Sequence, residues 1–205
     1  MIYGILLAAG LSSRMGRAKQ LLAWHGRPLV RHAAEVALAS RLAGLMVVLG
    51  AGAEAAREGL AGLGGPVQTV QNDDYASGQA SSLRSGLAAL PATASAAVVL
   101  LADMPLVSHA LIDSLIAAYE AAPAALAVVP RYQGRRGNPV LLAAGLFAEL
   151  QALDGDTGAR PVLERHADKV IWLDLDDPAV VTDIDTPEAY EQMQLTPRRS
   201  CDSSR

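Results

Sequence analysis

Three short stretches of this chain carry residues whose types and spacing suit chemistry on an anion. The first runs Leu7-Ala8-Ala9-Gly10-Leu11-Ser12-Ser13-Arg14-Met15-Gly16-Arg17-Ala18-Lys19. Small residues at positions 8, 9 and 10 let a ligand approach the backbone closely, and exposed N–H groups can cradle anionic oxygens. Arg14 and Lys19 add positive charge at the same mouth. The dinucleotide fingerprint G-x-G-x-x-G does not fit, because no glycine stands between Gly10 and Gly16. Nor does a Walker A loop, since Arg17-Ala18 follows Gly16 where Lys-Ser/Thr is required. On spacing alone, an ordinary glycine-containing turn with surface cations remains an equal reading.

The second stretch is Leu100-Leu101-Ala102-Asp103-Met104-Pro105, an apolar run closed by one acid. A carboxylate at a dry strand end is costly unless it is paired or bound to a cation. Mg²⁺ takes one or two carboxylates and completes its shell with phosphate oxygens and water, which makes Asp103 a candidate ligand. A helix cap or turn aspartate is the alternative. The third stretch is Asp183-Ile184-Asp185-Thr186-Pro187-Glu188, where two acids two residues apart share one face of an extended segment. Thr186 and Pro187 also suit the cap and first position of a helix. Asp185 is preferred over Asp183 as the second ligand, being nearer the helix start where the turn opens. Asp103 and Asp185 together can hold one Mg²⁺ or Mn²⁺ against a phosphate chain.

Further candidates stand between these. Asn72 to Leu87 contains Gly78, Gln79, Ser81 and Ser82, the two serines fitting either ligand contact or helix capping. Arg135 and Arg136 lie together in a Gly-rich turn before Gly137 and Asn138, an arrangement suited to phosphate or simply to solvent. His25, His32, His109 and His166 show no metal-type spacing and read as structural or surface residues; Cys201 lies in a polar tail.

The elements that must position these residues follow from periodicity. Strand-length apolar runs at Ile2–Ala8, Leu45–Leu49, Val67–Val70, Ala97–Ala102 and Leu126–Val129 alternate with helix-length segments at 27–41, 53–60, 81–90 and 108–121. Strands apolar on both faces indicate a mainly parallel sheet covered by helices. Val140–Leu142 follows Leu126–Val129 too closely for a crossover helix and is expected to pair antiparallel. Later come apolar runs at Lys169–Leu173 and Val180–Ile184 and a helix from Pro187. The expectation is one domain over 1–195 and a disordered tail over 196–205.

The composition excludes several classes. The 205 residues are 51% hydrophobic and 19% charged, which supports a large core and excludes disorder of the bulk. Thirty-nine are alanine and eight aromatic, which argues against a base-stacking RNA platform. The net charge of −4 is not the basic footprint of a nucleic-acid binder. No apolar run reaches membrane-spanning length, and residues 1–10 lack the features of a secretory signal, so neither a membrane nor a nucleic acid is an expected partner. A single cysteine leaves no internal disulfide. The expected compartment is the cytoplasm.

Leu7 to Leu22, read as L-A-A-G-x-S-x-R-M-G-x-x-K-x-L-L, resembles the opening signature of the nucleotidyltransferases that include the molybdenum cofactor cytidylyltransferases. The L-A-D-M-P, D-I-D-T-P-E, N-x-x-(aromatic)-x-x-G-x-x-x-S-L and G-D-x-G-A-R motifs of that family are matched in order at Leu101, Asp183, Asn72 and Gly155, so the likeness spans about Met1 to Met193. It implies a Rossmann-like three-layer α/β/α fold of the nucleotide-diphosphosugar transferase type with a mainly parallel mixed sheet. It also implies that Leu7, Ala8, Ala9, Gly10, Gly78, Gln79 and Ser82 contact the nucleotide, with Arg14 and Lys19 on the triphosphate. Arg14, Lys19 and Asp103 become the catalytic set, and Asp103 and Asp185 the metal ligands. Arg136, Asn138, Asp156 and Arg160 fall on the acceptor side. The family pattern commonly has Arg-Gly-His-Pro where this chain has Asn138, which leaves the acceptor less defined.

The activity implied is Mg²⁺-dependent transfer of a nucleoside monophosphate onto a phosphorylated acceptor with release of pyrophosphate. CTP is the expected donor, because Ala9 resembles the cytidylyl enzymes where guanylyl relatives have Leu-Ala-Gly-Gly. Molybdopterin is the expected acceptor, and a molybdoenzyme or its maturation chaperone the protein partner. Two rivals stand beside this: transfer to a sugar or alcohol phosphate, and a carrier that binds the molybdenum cofactor without turnover. The carrier needs no paired acids.

Overall fold

A computed structural model describes residues 1–10 and 18–195. β1 (Ile2–Ala8) lies at the middle of an eight-stranded sheet. The chain then forms a hairpin of two short strands, β2 (Ala23–Trp24) and β3 (Arg27–Pro28), before α1 (Leu29–Leu38). His25 and Gly26 at its tip have φ of 48° and 82°, the paired left-handed conformation of a two-residue turn that follows strand twist. The helical periodicity from residue 27 therefore begins two residues early: Arg27 and Pro28 belong to the hairpin.

β4 (Leu45–Leu49), α2 (Ala53–Leu60), β5 (Val67–Gln71), α3 (Gln79–Ala88) and β6 (Ala96–Leu101) follow. β1 pairs in parallel with both β4 and β6, and β4 with β5. α4 (His109–Glu120) starts at Ser108, whose hydroxyl accepts from the Leu111 N–H at 3.2 Å, as a capping serine should. β7 (Ala127–Tyr132) and β8 (Arg135–Arg136) form a second two-residue hairpin, with Gln133 and Gly134 at φ 49° and 76°. β9 (Val140–Ala143) runs antiparallel to β7 as expected, and also to β6. α5 (Phe147–Gln151), α6 (Arg160–Arg165), β10 (Val170–Asp174) and α7 (Pro187–Gln194) complete the order. The sheet reads β10-β7-β9-β6-β1-β4-β5 with β8 beside β7. Residues 178–181 form a 3-10 turn, so the apolar run at Val180 is not a strand.

Strand residues alternate between two cores. Leu6, Val47, Val98 and Leu100 join α2 and α4, while Ile5, Val48, Ala97 and Val99 join Leu83 and Leu87 of α3 and Val162 of α6. This gives the Rossmann-like three-layer α/β/α architecture with a mixed, mainly parallel sheet. Buried aliphatic side chains of this size each contribute about 1.5–3 kcal/mol. A third cluster of Leu22, Trp24, Leu29, Ile184 and Met193 ties the β2–β3 hairpin to the segment before α7. Residues 11–17, including the Arg14 assigned above, and the tail over 196–205 lie outside the described residues. Among the described residues no helix is long and apolar enough to cross a membrane.

Candidate active site

Chain order reverses across the sheet between β1 and β6: β4 and β5 lie to one side of β1, and β6 returns to the other. Ligands of open α/β sheets bind beyond the carboxyl ends of the strands at such a point. A cleft of about 680 Å³ opens there, walled by Leu7 to Gly10 from the end of β1 and Leu101 to Asp103 from the end of β6. Gly78, Gln79 and Ser82 from the start of α3 form the opposite wall, and Lys19 and Asp185 close the mouth. Among the described residues, every position assigned above to the nucleotide lines this one cleft.

Lys19 is the electrostatic centre of the site. Its Nζ lies 2.9 Å from Asp103 Oδ2 and 2.7 Å from Asp185 Oδ1. Burial works against its charge, but the two carboxylates outweigh burial and raise its pKa above the usual lysine value. Asp183 is pushed up instead, first by burial and then by the carboxylates of Asp185 and Asp103. Of the two acids Asp185 lines the cleft, and its Oδ1 meets Lys19 Nζ at 2.7 Å.

The backbone explains why these side chains meet. Ile184 is fully buried in the third cluster, and its N–H donates to the Asp103 carbonyl at 2.9 Å. One peptide therefore links the two acids' segments across 81 residues of sequence. Thr186 accepts from the Ala189 N–H at 3.2 Å and caps α7, so the capping reading of Thr186-Pro187 also holds. Lys19 opens a 3-10 turn, Lys19–Leu21, anchored by Gln20, which is 3% exposed and donates from Nε2 to the Ala51 carbonyl at 2.7 Å.

The α3 wall is held by a residue that motif reading left without a role. Asn72 is buried, and its Nδ2 donates to Ser81 Oγ at 2.9 Å and Ser82 Oγ at 3.0 Å. Ser81 also donates to the Gly78 carbonyl, so the serines brace the turn and do not cap the helix. Only Ser82 of the two lines the cleft. Gly78 sits at φ 121°, and a Cβ there would stand 2.5 Å from the Gly155 carbonyl, a close approach only glycine permits. The Gly155-Asp156 loop therefore packs on the start of α3, with Asp156 Oδ1 accepting from the Gln79 N–H at 3.2 Å.

A second cleft of about 440 Å³ adjoins the first and shares Leu7, Gln79 and Leu101 with it. Arg136, Asn138 and Arg160 stand around it over an apolar floor that includes Leu83, Val99 and Val140. Three of the four residues assigned to the acceptor side meet here; Asp156 lines the first cleft instead. Partial burial and then the charge of Arg160 lower the Arg136 pKa, while Glu164 opposes the shift. Arg160 is mostly exposed and pairs with Glu164 through Nε at 2.9 Å, so it enters this rim partly neutralised. The Asn138 N–H donates to the Val180 carbonyl at 2.8 Å, so the turn over 178–181 sets the rim of this cleft.

Comparison with known proteins agrees with this architecture. Residues 4–170 match the family model described as the MobA-like NTP transferase domain. The chain is 35% identical to a nicotine blue oxidoreductase of Paenarthrobacter nicotinovorans, over 91% of this chain and 93% of that protein. It is 37% identical to a molybdenum cofactor guanylyltransferase of Xanthomonas euvesicatoria pv. vesicatoria, over 56% of this chain and 53% of that one. Among solved structures, Rv0371c of Mycobacterium tuberculosis H37Rv superposes with a TM-score of 0.82 at 30% identity, covering 96% of this chain and 100% of that one. The same protein has been solved in complex with manganese, at a TM-score of 0.77 and 29% identity, covering 96% and 99%. With the family model spanning most of the chain and the cleft at the sheet's reversal point, the protein belongs to the MobA-like NTP transferase family and is a nucleotidyltransferase.

Proposed function

We propose that this enzyme transfers CMP from CTP to the phosphate of a molybdopterin-type cofactor and releases pyrophosphate. The observation that carries the reading is the pairing of two clefts. One holds a Lys19–Asp103–Asp185 cluster at its mouth, the other an arginine pair, and they meet at Leu7, Gln79 and Leu101. A nucleoside triphosphate in the first and an anionic acceptor in the second would bring an acceptor phosphate oxygen to the α-phosphorus.

The acids suit a divalent cation. Asp103 and Asp185 already converge on one cation, Lys19 Nζ. Among the described residues no group of three or more His, Cys, Asp or Glu side chains could hold a metal, so phosphate oxygens and water would have to complete the shell of a Mg²⁺ or Mn²⁺ on this pair. Such a cation, when bound, supplies charge neutralisation for the triphosphate. Lys19 adds a second positive charge where negative charge develops as pyrophosphate leaves. The acceptor phosphate is already an anion, so no side chain need act as a general base. The work of the chain is positioning and charge stabilisation.

The donor assignment rests on Ala9. It is 2% exposed and lines the nucleotide cleft, at the position where guanylyl enzymes of the family it resembles have glycine. The acceptor assignment rests on family likeness and on the apolar floor beneath Arg136 and Arg160, which suits a flat ring system bearing a phosphate. A thermal-shift series with each of the four NTPs and Mg²⁺ tests the donor, since a ligand selective for the folded state raises its apparent stability by mass action. CTP should raise the midpoint well above the other three; an equal or larger shift with GTP would contradict the donor assignment.

A further inference from the structure

His32 lines neither cleft, yet it reaches the segment that carries Asp103. It lies on α1, half-buried, and its Nε2 is 2.9 Å from the Pro105 carbonyl oxygen. A carbonyl only accepts, so Nε2 carries the proton and donates. Pro105 follows Asp103 by two residues in a pair of tight turns, the first closed by the Met104 N–H on the Leu101 carbonyl at 3.4 Å and the second by the Val107 N–H on the Met104 carbonyl at 3.3 Å.

That segment is fixed from three sides. The Ala102 N–H donates to the Leu7 carbonyl at 3.2 Å, tying it to β1. The Ile184 N–H donates to the Asp103 carbonyl at 2.9 Å, tying it to the Asp185 segment. From α1 the tie is His32. His32 also packs beside Met104, Val107 and Pro139, with a gap of only about 10 Å³ between them, so the hydrogen bond adds a directed tie to that contact. Because Asp103 and Asp185 share a peptide contact through Ile184, slack at Pro105 reaches both carboxylates.

We infer that His32 is a positioning residue for the Asp103–Asp185 pair, acting through the Pro105 carbonyl without touching either substrate. The inference rests on the proposed metal role of those acids. Partners that orient ligating carboxylates typically change metal affinity or activity about 10–100-fold when lost. His32 would belong to that class, and its ring would be needed for its donor and not for its volume.

The test compares His32→Phe, which keeps a ring but has no donor, with His32→Gln, which restores an N–H donor. Binding of Mn²⁺ alone is measured by calorimetric titration, and kcat, the KM for CTP and the thermal midpoint are measured alongside. The Phe variant should lose about 10-fold or more in Mn²⁺ affinity and in kcat with the KM for CTP within about 3-fold, and the Gln variant should recover most of both. A folded Phe variant with wild-type Mn²⁺ affinity and kcat would overturn the role. So would a folded Gln variant as impaired as Phe, and this arm decides even if Phe fails to fold. Failure of the wild-type protein to bind Mn²⁺ would instead overturn the metal reading, and the inference with it.

Discussion

At the scale of single residues, the site is a balance of one ammonium against carboxylates. Lys19 keeps 18% of its side chain exposed and Asp103 24%, so their contact is partly screened from water and stronger than a surface ion pair. An amide at position 103 would keep the shape and remove the charge. Asp103→Asn should leave the fold and thermal midpoint near wild type and lower kcat by at least about 1,000-fold, a loss of several kcal/mol of charge stabilisation. Steady-state kinetics with circular dichroism would show this, and near-normal turnover in a folded variant would remove Asp103 from the mechanism. Charge and motif made Lys19, Asp103 and Asp185 readable in the sequence. Asn72 and Gln20 were less visible, because their importance lies in burial and in hydrogen bonds to distant atoms, which no local pattern reports. His32 reads as a structural or surface histidine for the same reason: its partner is a backbone carbonyl 73 residues away.

At the scale of elements, the segment before α7 does more than start a helix. Its 183–185 stretch carries Asp185 into the cleft only because Ile184 is seated beneath the β2–β3 hairpin with Leu22, Trp24 and Met193. Tyr190 and Gln194 of α7 both donate to the Ala23 carbonyl, at 2.5 Å each, and lock helix to hairpin. Ile184→Ala should destabilise the fold by about 2–5 kcal/mol in urea unfolding. It should also lower kcat at temperatures where the variant is fully folded, because Asp185 loses its anchor. Full activity of the folded variant would show that Asp185 needs no such support. The hairpin itself was hidden in the sequence, since strands of two residues show no alternation and Arg27 to Arg41 has the periodicity of a helix. The β9 reversal, in contrast, was forced by the short spacing after β7 and appears where that spacing placed it.

At the scale of the whole molecule, the antiparallel strand β9 has a functional consequence. It brings Asn138 and Arg136 alongside the carboxyl end of β6, so the second cleft opens beside the first on one edge of the sheet. An acidic chain of net charge −4 thus gathers Lys19, Arg136 and Arg160 around these two clefts. The overall architecture was legible because fully apolar strands alternate with helices. The division into two clefts was not, because it depends on loops from residues 72–78, 137–139 and 155–160 converging in space. Metal-dependent nucleotidyl transfer across these two clefts is read out by pyrophosphate release. With CTP, Mg²⁺ and molybdopterin together, the protein should release pyrophosphate in step with a CMP–cofactor product, and chelation of the metal or omission of the acceptor should stop release. Binding of the acceptor with no pyrophosphate released under any NTP would contradict the account and favour a carrier.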